Sequence, residues 1–257
     1  NSLILQSGGA HRRQRTRLMP TFHAGRIREY AEVVRSVTAE QIAELHAGDH
    51  LSLRRLSTGI ALDTAVRTLF GISDPDRRGC YATAITALMS ANTAPLMLVP
   101  ALRRSIGGHG PWARLMTLRD TLDGMLREDL GTAESDTPDQ RRTLLAAGHE
   151  TTANMIGIGI LALLENPEQA DLLRNTDDPK LIANAVEELM RYLSIIQNGQ
   201  RRIALDDIEI AGETIKAGEG IILDLAPENW DPAMFPQPDK LDLARENAGQ
   251  QLGFGYG

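Results

Sequence analysis

The chain has 257 residues, 42% of them apolar, 24% charged and 4% aromatic, proportions that exclude a disordered tail, a collagen-like fibre and a disulfide scaffold. Its 27 Lys and Arg against 34 Asp and Glu leave a net charge of -7, which argues against broad electrostatic binding to nucleic acid. The single cysteine, Cys80, can form neither an internal disulfide nor a cysteine-based zinc site, and a reducing cytoplasm is the compartment expected from it.

Residues 1–6 open directly into an apolar run without an initiator Met, which suggests a piece of a longer chain, and no signal-peptide pattern is present. Helical signals dominate residues 9–193. Residues 26–56 repeat apolar side chains at three and four spacing (Ile27, Tyr30, Ala31, Val34, Val37, Ile42, Leu45), and residues 58–70 continue as a mainly apolar helix. Ser73-Asp74-Pro75 reads as a helix start. Residues 82–102 are apolar and Met-rich, broken near Pro100, and Gly107, Gly108, Gly110 and Pro111 mark a loop before a helix over 112–130. After a polar connector over 131–138, the most apolar segment, 144–164, is long enough to cross a bilayer. It carries His149, Glu150 and Asn154 in its interior, so a buried helix is expected and no membrane span. Asn166-Pro167-Glu168 and Asp178-Pro179 each open a further helix. Beyond residue 200 the period changes: Ile208 and Ile210 alternate with Asp207 and Glu209, Gly212 turns the chain, Ile215 follows, and Gly218 and Gly220 frame a turn before Ile221-Ile222-Leu223. That pattern predicts a small antiparallel sheet. The fold class expected is mainly α with a small antiparallel β region over 200–257, in one domain.

Four short patterns carry possible chemistry. In Ala146-Ala147-Gly148-His149-Glu150-Thr151-Thr152, a glycine inside a helix costs about 1 kcal/mol relative to alanine. Gly148 would let something flat approach the backbone, and the threonine hydroxyls could bond to carbonyls one turn back and open a local bulge. The plainer alternative is a helix whose polar residues face a water-filled gap. A zinc-protease reading fails, because the second histidine would have to stand at Ala153. Glu188 and Arg191, three apart, share a helix face, where an exposed pair contributes roughly 0 to 1 kcal/mol and is the ordinary case. His11 and Arg15, four apart among Arg12, Arg13 and Arg17, form either a solvated face or a site for an anion. The Gly-rich end, Leu252-Gly253-Phe254-Gly255-Tyr256-Gly257, lacks the Lys and helix of a phosphate loop and alone could be any tight turn.

In this order and spacing the patterns resemble the cytochrome P-450 family of haem-thiolate monooxygenases, soluble bacterial type. Ala147 to Thr152 is similar to the oxygen-binding motif of that family's long central helix, and Glu188 to Arg191 to its Glu-x-x-Arg motif. Phe254-Gly255-Tyr256-Gly257 is similar to the start of its Phe-Gly-x-Gly-x-His-x-Cys haem loop, and His11 to Arg15 to a His-x-x-x-Arg signature that contacts the haem propionates. The resemblance covers almost the whole chain and implies a partial domain over 1–257, lacking the N-terminal part and the axial cysteine, which is expected beyond Gly257. Cys80 lies far along the chain from the haem loop. Many members have Pro-x-Arg-Phe where this chain has Pro238-Asp239-Lys240-Leu241, so Arg245 is the candidate third member of the Glu-Arg-Arg cluster.

The resemblance implies haem b as cofactor, with the cofactor supplying the oxygen chemistry. It implies that Ala147 and Gly148 leave room for dioxygen, that Thr151 hydrogen-bonds the activated oxygen, and that Glu150 relays protons. His11, Arg15 and Arg202 would neutralise the propionates; Phe254, Gly255 and Gly257 would form the haem loop; Glu188, Arg191 and Arg245 would brace it. Ala146, Ile195 and Ile196 would line a pocket for an apolar small molecule to be hydroxylated or epoxidised. Electrons would come from a ferredoxin or flavodoxin-type donor with its reductase, drawn to Arg12, Arg13 and Arg17. The competing expectation is a haem-free helical binding protein or decayed paralogue.

Overall fold

A computed structural model describes residues 6–89, 96, 99–104, 109–131 and 138–255. The chain divides into two compact units, residues 1–153 and 154–257, with the boundary inside one helix.

In the first unit, α1 (Gly8–Leu18) leads through a 3-10 turn to α2 (Ala24–Ile42), followed by α3 (Leu53–Phe70), α4 (Pro75–Leu88) and α5 (Pro111–Leu130). The helix starts follow local chemistry. Asp74 accepts from the Arg77 N–H at 2.8 Å with Pro75 in the first turn, and Ser52 accepts from the Arg55 N–H at 3.3 Å. The continuous helix expected over 26–56 is two helices instead. Gly48 takes φ +100, and Asp49 accepts from the His46 N–H at 2.8 Å, so a turn interrupts the apolar repeat. The apolar stretch expected over 82–102 is helical to Leu88; residues 90–95 lie outside the described residues.

The core of this unit joins Leu62, Val66 and Phe70 of α3, Tyr81 and Ile85 of α4, Leu122 and Leu126 of α5, and Leu145 of the next helix. Each such side chain, when fully buried, contributes about 1.5–3 kcal/mol. Charges tie the same helices together: Arg67 pairs with Glu40 and with Asp63, and Arg78 with Asp63. The hydrogen bonds from Arg67 and Ser36 hold the Glu40 carboxyl down at about 2.

The long helix α6 (Pro138–Glu165) crosses from the first unit into the second. Arg141 anchors its start by donating to the carbonyls of Leu126 at 3.1 Å and Gly131 at 3.0 Å, which closes the end of α5. In the second unit α7 (Pro167–Arg174) and α8 (Pro179–Leu193) follow, each with Pro in its first turn, and Asp178 accepts from the Lys180 N–H at 2.9 Å. The expected antiparallel region is present as two separate two-stranded ladders. β1 (Arg202–Ile203) pairs with β4 (Gly220–Ile221), and β2 (Ile208–Ile210) pairs with β3 (Glu213–Ile215). The β2–β3 hairpin turns at Ala211 and Gly212, both with positive φ. A single turn of helix, α9 (Ala226–Asn229), precedes the C-terminal segment. Ala162, Ala185, Leu189, Leu241 and Leu243 form the core of this unit. Among the described residues no helix is long and apolar enough to cross a membrane.

Candidate functional site

In the first unit the motif residues lie on α6. The Thr151 hydroxyl donates to the Ala147 carbonyl at 2.6 Å, the back-bond that its spacing allows. The helix nevertheless stays α-helical throughout, so the local bulge considered from sequence does not form. A Cβ placed on Gly148 would meet nothing within 4 Å, so the glycine opens free space rather than relieving a clash. Ala147, Gly148 and Thr152 line an apolar cleft of about 380 Å³ with Ala61, Ala65 and Leu69. Ala146 is half-buried on the same helix, while the Glu150 side chain is exposed. His149 is buried, and among the described residues neither ring nitrogen has a hydrogen-bond partner. Burial pushes its pKa below the usual imidazole value, with Glu150 acting weakly the other way.

His11 and Arg15 lie on α1, a helix dominated by polar side chains. Among the described residues neither forms an ion pair, nor do Arg12, Arg13 and Arg17, so this helix carries uncompensated positive charge. Arg202, in the second unit, sits exposed on β1 opposite Ile221. It too is without an ion pair among the described residues.

The second unit brings three predicted residues together. Glu188 and Arg191 are fully buried on α8, so the pair is not the exposed surface pair of the plainer expectation. Arg191 meets Glu188 through Nε at 2.8 Å and Nη2 at 2.9 Å, a bidentate fork. Arg245 donates from Nε to Glu188 Oε2 at 3.0 Å. The remaining guanidinium donors reach backbone carbonyls: Arg191 to Asn229 at 2.8 Å and Lys240 at 3.3 Å, Arg245 to Pro236 at 2.7 Å and Lys240 at 3.0 Å. One carboxylate thus meets two cations, and carbonyl oxygens absorb the excess positive charge. That arrangement is how a buried ion cluster becomes tolerable.

Ile195 and Ile196 follow α8 and are half-buried. Phe254 is 73% exposed, and Gly255, at φ +76, donates to the Leu252 carbonyl at 2.9 Å, so this end is a turn that only glycine closes easily. Gly257 lies outside the described residues. Cys80 is exposed on α4. Sequence reasoning missed Asn229, Ser194 and Gln251, which hold this turn in place. Their signals are single polar residues at unremarked positions, and only the tertiary fold gives them partners.

Known proteins resemble this chain over much of its length. The family profile for Cytochrome P450 matches residues 119–257. The chain is 68% identical over 114 residues to Cytochrome P450 CYP105Q4 of Mycobacterium marinum, covering 44% of this chain and 28% of that protein. It is 36% identical over its whole length to the 20-oxo-5-O-mycaminosyltylactone 23-monooxygenase of Streptomyces fradiae, spanning 61% of that protein. The crystal structure of GfsF superposes with a TM-score of 0.79 at 35% identity, covering 100% of this chain and 66% of that one. The chain therefore spans between about a quarter and two thirds of the relatives it matches. The matching profile covers more than half of the residues, and the chain belongs to the cytochrome P450 family.

Proposed function

We propose that the protein is a haem-dependent monooxygenase that hydroxylates or epoxidises an apolar small molecule with electrons from a ferredoxin or flavodoxin-type donor and its reductase. The observation that carries this reading is on α6. A threonine hydroxyl held on a carbonyl one turn back, free space at the neighbouring glycine and an exposed carboxylate stand within four residues.

The family's cofactor is haem b, and the residues of this chain fit it on two observations. Gly148 leaves room beside the helix for a flat group, and Arg15 in the first unit and Arg202 in the second are each a guanidinium without an ion pair among the described residues, suited to a carboxylate of a bound ligand. When bound, haem supplies the activation of dioxygen. The protein's own residues do the rest. Thr151, which already spends its proton on the Ala147 carbonyl, can turn its oxygen lone pairs to an incoming donor or release that bond to donate. Glu150, open to solvent, takes up protons and delivers them to the Thr151 region. Ala146 in the first unit, and Ile195 and Ile196 in the second, are half-buried apolar side chains of the kind that a pocket for an apolar substrate uses. Glu188, Arg191 and Arg245, buried and bonded to one another, brace the segment that leads to the haem loop. The positive face of α1 favours an acidic electron donor. Relatives named as a 23-monooxygenase and, in Pseudonocardia autotrophica, as a vitamin D(3) 25-hydroxylase support oxygen insertion as the reaction class.

The test is the carbon-monoxide difference spectrum of the reduced full-length gene product. A long-wavelength Soret band of the thiolate type is expected. A protein that takes up no haem, or shows only an imidazole-type band, would replace this reading with a non-catalytic relative. In the active protein Thr151→Ala should keep haem while uncoupling electron use from product; unchanged coupling removes the role given to Thr151.

A further inference from the structure

The turn that opens the haem loop is fastened to α8 by polar bonds that the activity does not require by itself. Asn229 is fully buried. Its side chain accepts from the Leu252 N–H at 2.7 Å and donates to the Ser194 hydroxyl at 3.0 Å. Its own carbonyl accepts from Arg191 at 2.8 Å, so one residue connects the Glu188–Arg191–Arg245 cluster to the residue just before Gly253-Phe254-Gly255. Ser194, the next link, is buried in the left-handed region at φ 40, where a non-glycine residue is strained, and its hydroxyl bonds to the Arg191 carbonyl at 2.9 Å. A conformation of that kind persists only where its surroundings over-determine it.

A second fastening lies one residue earlier in the chain. Gln251 donates to Glu187 on α8 at 2.9 Å and accepts from the Gly253 N–H. A Cβ on Gly253 would stand 3.4 Å from the Met190 side chain and 2.6 Å from the Gln251 amide, so the backbone passes close to α8 at this point. Consecutive amides, those of Leu252 and Gly253, are thus held by side chains rather than by regular secondary structure.

We propose that Asn229 and Gln251 are positioning residues that clamp the Leu252–Gly255 turn onto α8 and so set the direction in which the haem loop leaves it. The assignment of that loop rests on the functional reading above; the clamp itself rests on the bonds just described. The measurement is amide hydrogen exchange on the full-length gene product, comparing the parent with Asn229→Leu, which keeps the branched heavy-atom skeleton and removes both side-chain bonds. Loss of one buried hydrogen bond should speed exchange at Leu252 about tenfold, while Leu189 and Met190 in α8 keep their protection. Asn229→Asp, which keeps the acceptor for Leu252, should restore most of the protection there. In the haem-loaded protein the leucine variant should also release haem to apomyoglobin faster than the parent.

Parental exchange at Leu252 in the leucine variant, or an equal acceleration throughout α8, would overturn the proposal. If Asn229→Leu does not fold, Gln251→Met carries the same test at Gly253, where an unchanged rate is equally fatal. A parent that takes up no haem would sink the functional reading and leave the exchange result to decide the clamp alone.

Discussion

His149 shows how far the meaning of one residue depends on its surroundings. Its place in the motif suggests a polar group facing water, but the structure buries it with both nitrogens unpaired among the described residues, at a cost of about 1–3 kcal/mol for each orphaned group. The native imidazole resists protonation because burial disfavours the charged form, whereas the unfolded chain takes up a proton near pH 6.5. The unfolded state therefore binds more protons, and this residue's contribution falls as pH drops through about 6.5. His149→Leu is expected to be more stable than the parent by about 1–2 kcal/mol at pH 7.5. The gap should widen at pH 5.5 in urea unfolding; a gap independent of pH would show that the native imidazole titrates normally. The Glu188–Arg191 pair makes the complementary point. Three-residue spacing put both groups on one face, yet spacing alone cannot distinguish an exposed pair of negligible worth from a buried fork.

Elements were legible where their signals are local. Asp74-Pro75 and Asp178-Pro179 start helices because a carboxylate oxygen meets free N–H groups and Pro lacks the hydrogen it would leave unpaired. The break between α2 and α3 was hidden because the apolar repeat runs on through it, while the turn depends on Gly48 and Asp49. In α6 the glycine supplies a test in which stability and function part company. Gly148→Ala meets no steric obstacle, so it should raise the unfolding free energy by about 0.5–1 kcal/mol through helix propensity. It should at the same time lower oxygen-dependent turnover, because the methyl group fills the space that the proposed reaction uses. A variant that gains stability and keeps full turnover would reduce Gly148 to a neutral helix residue.

At the scale of the whole molecule, the second unit depends on contacts between distant parts of the chain. Arg245 reaches Glu188 across 57 positions, and Arg191 reaches the Asn229 carbonyl across 38. Removing one partner of such a cluster leaves the others buried and uncompensated. Arg245→Met is accordingly expected to cost about 3–5 kcal/mol, measured by thermal or urea unfolding, whereas an effect within about 0.5 kcal/mol would mean that Glu188 is satisfied by Arg191 alone.

By itself the sequence determined the helical character of the chain up to residue 193, the change to strand period after 200 and the presence of four patterns in family order, because periodicity, caps and turn residues act over a few positions. Only the tertiary structure decided that the antiparallel region is two ladders, that Glu188 and Arg191 are buried with Arg245 as third member, and that Asn229 holds Leu252. Burial and long-range hydrogen bonding are properties of the packed chain: a polar residue's worth is set by which partners exclude water from it, and those partners are chosen by the fold.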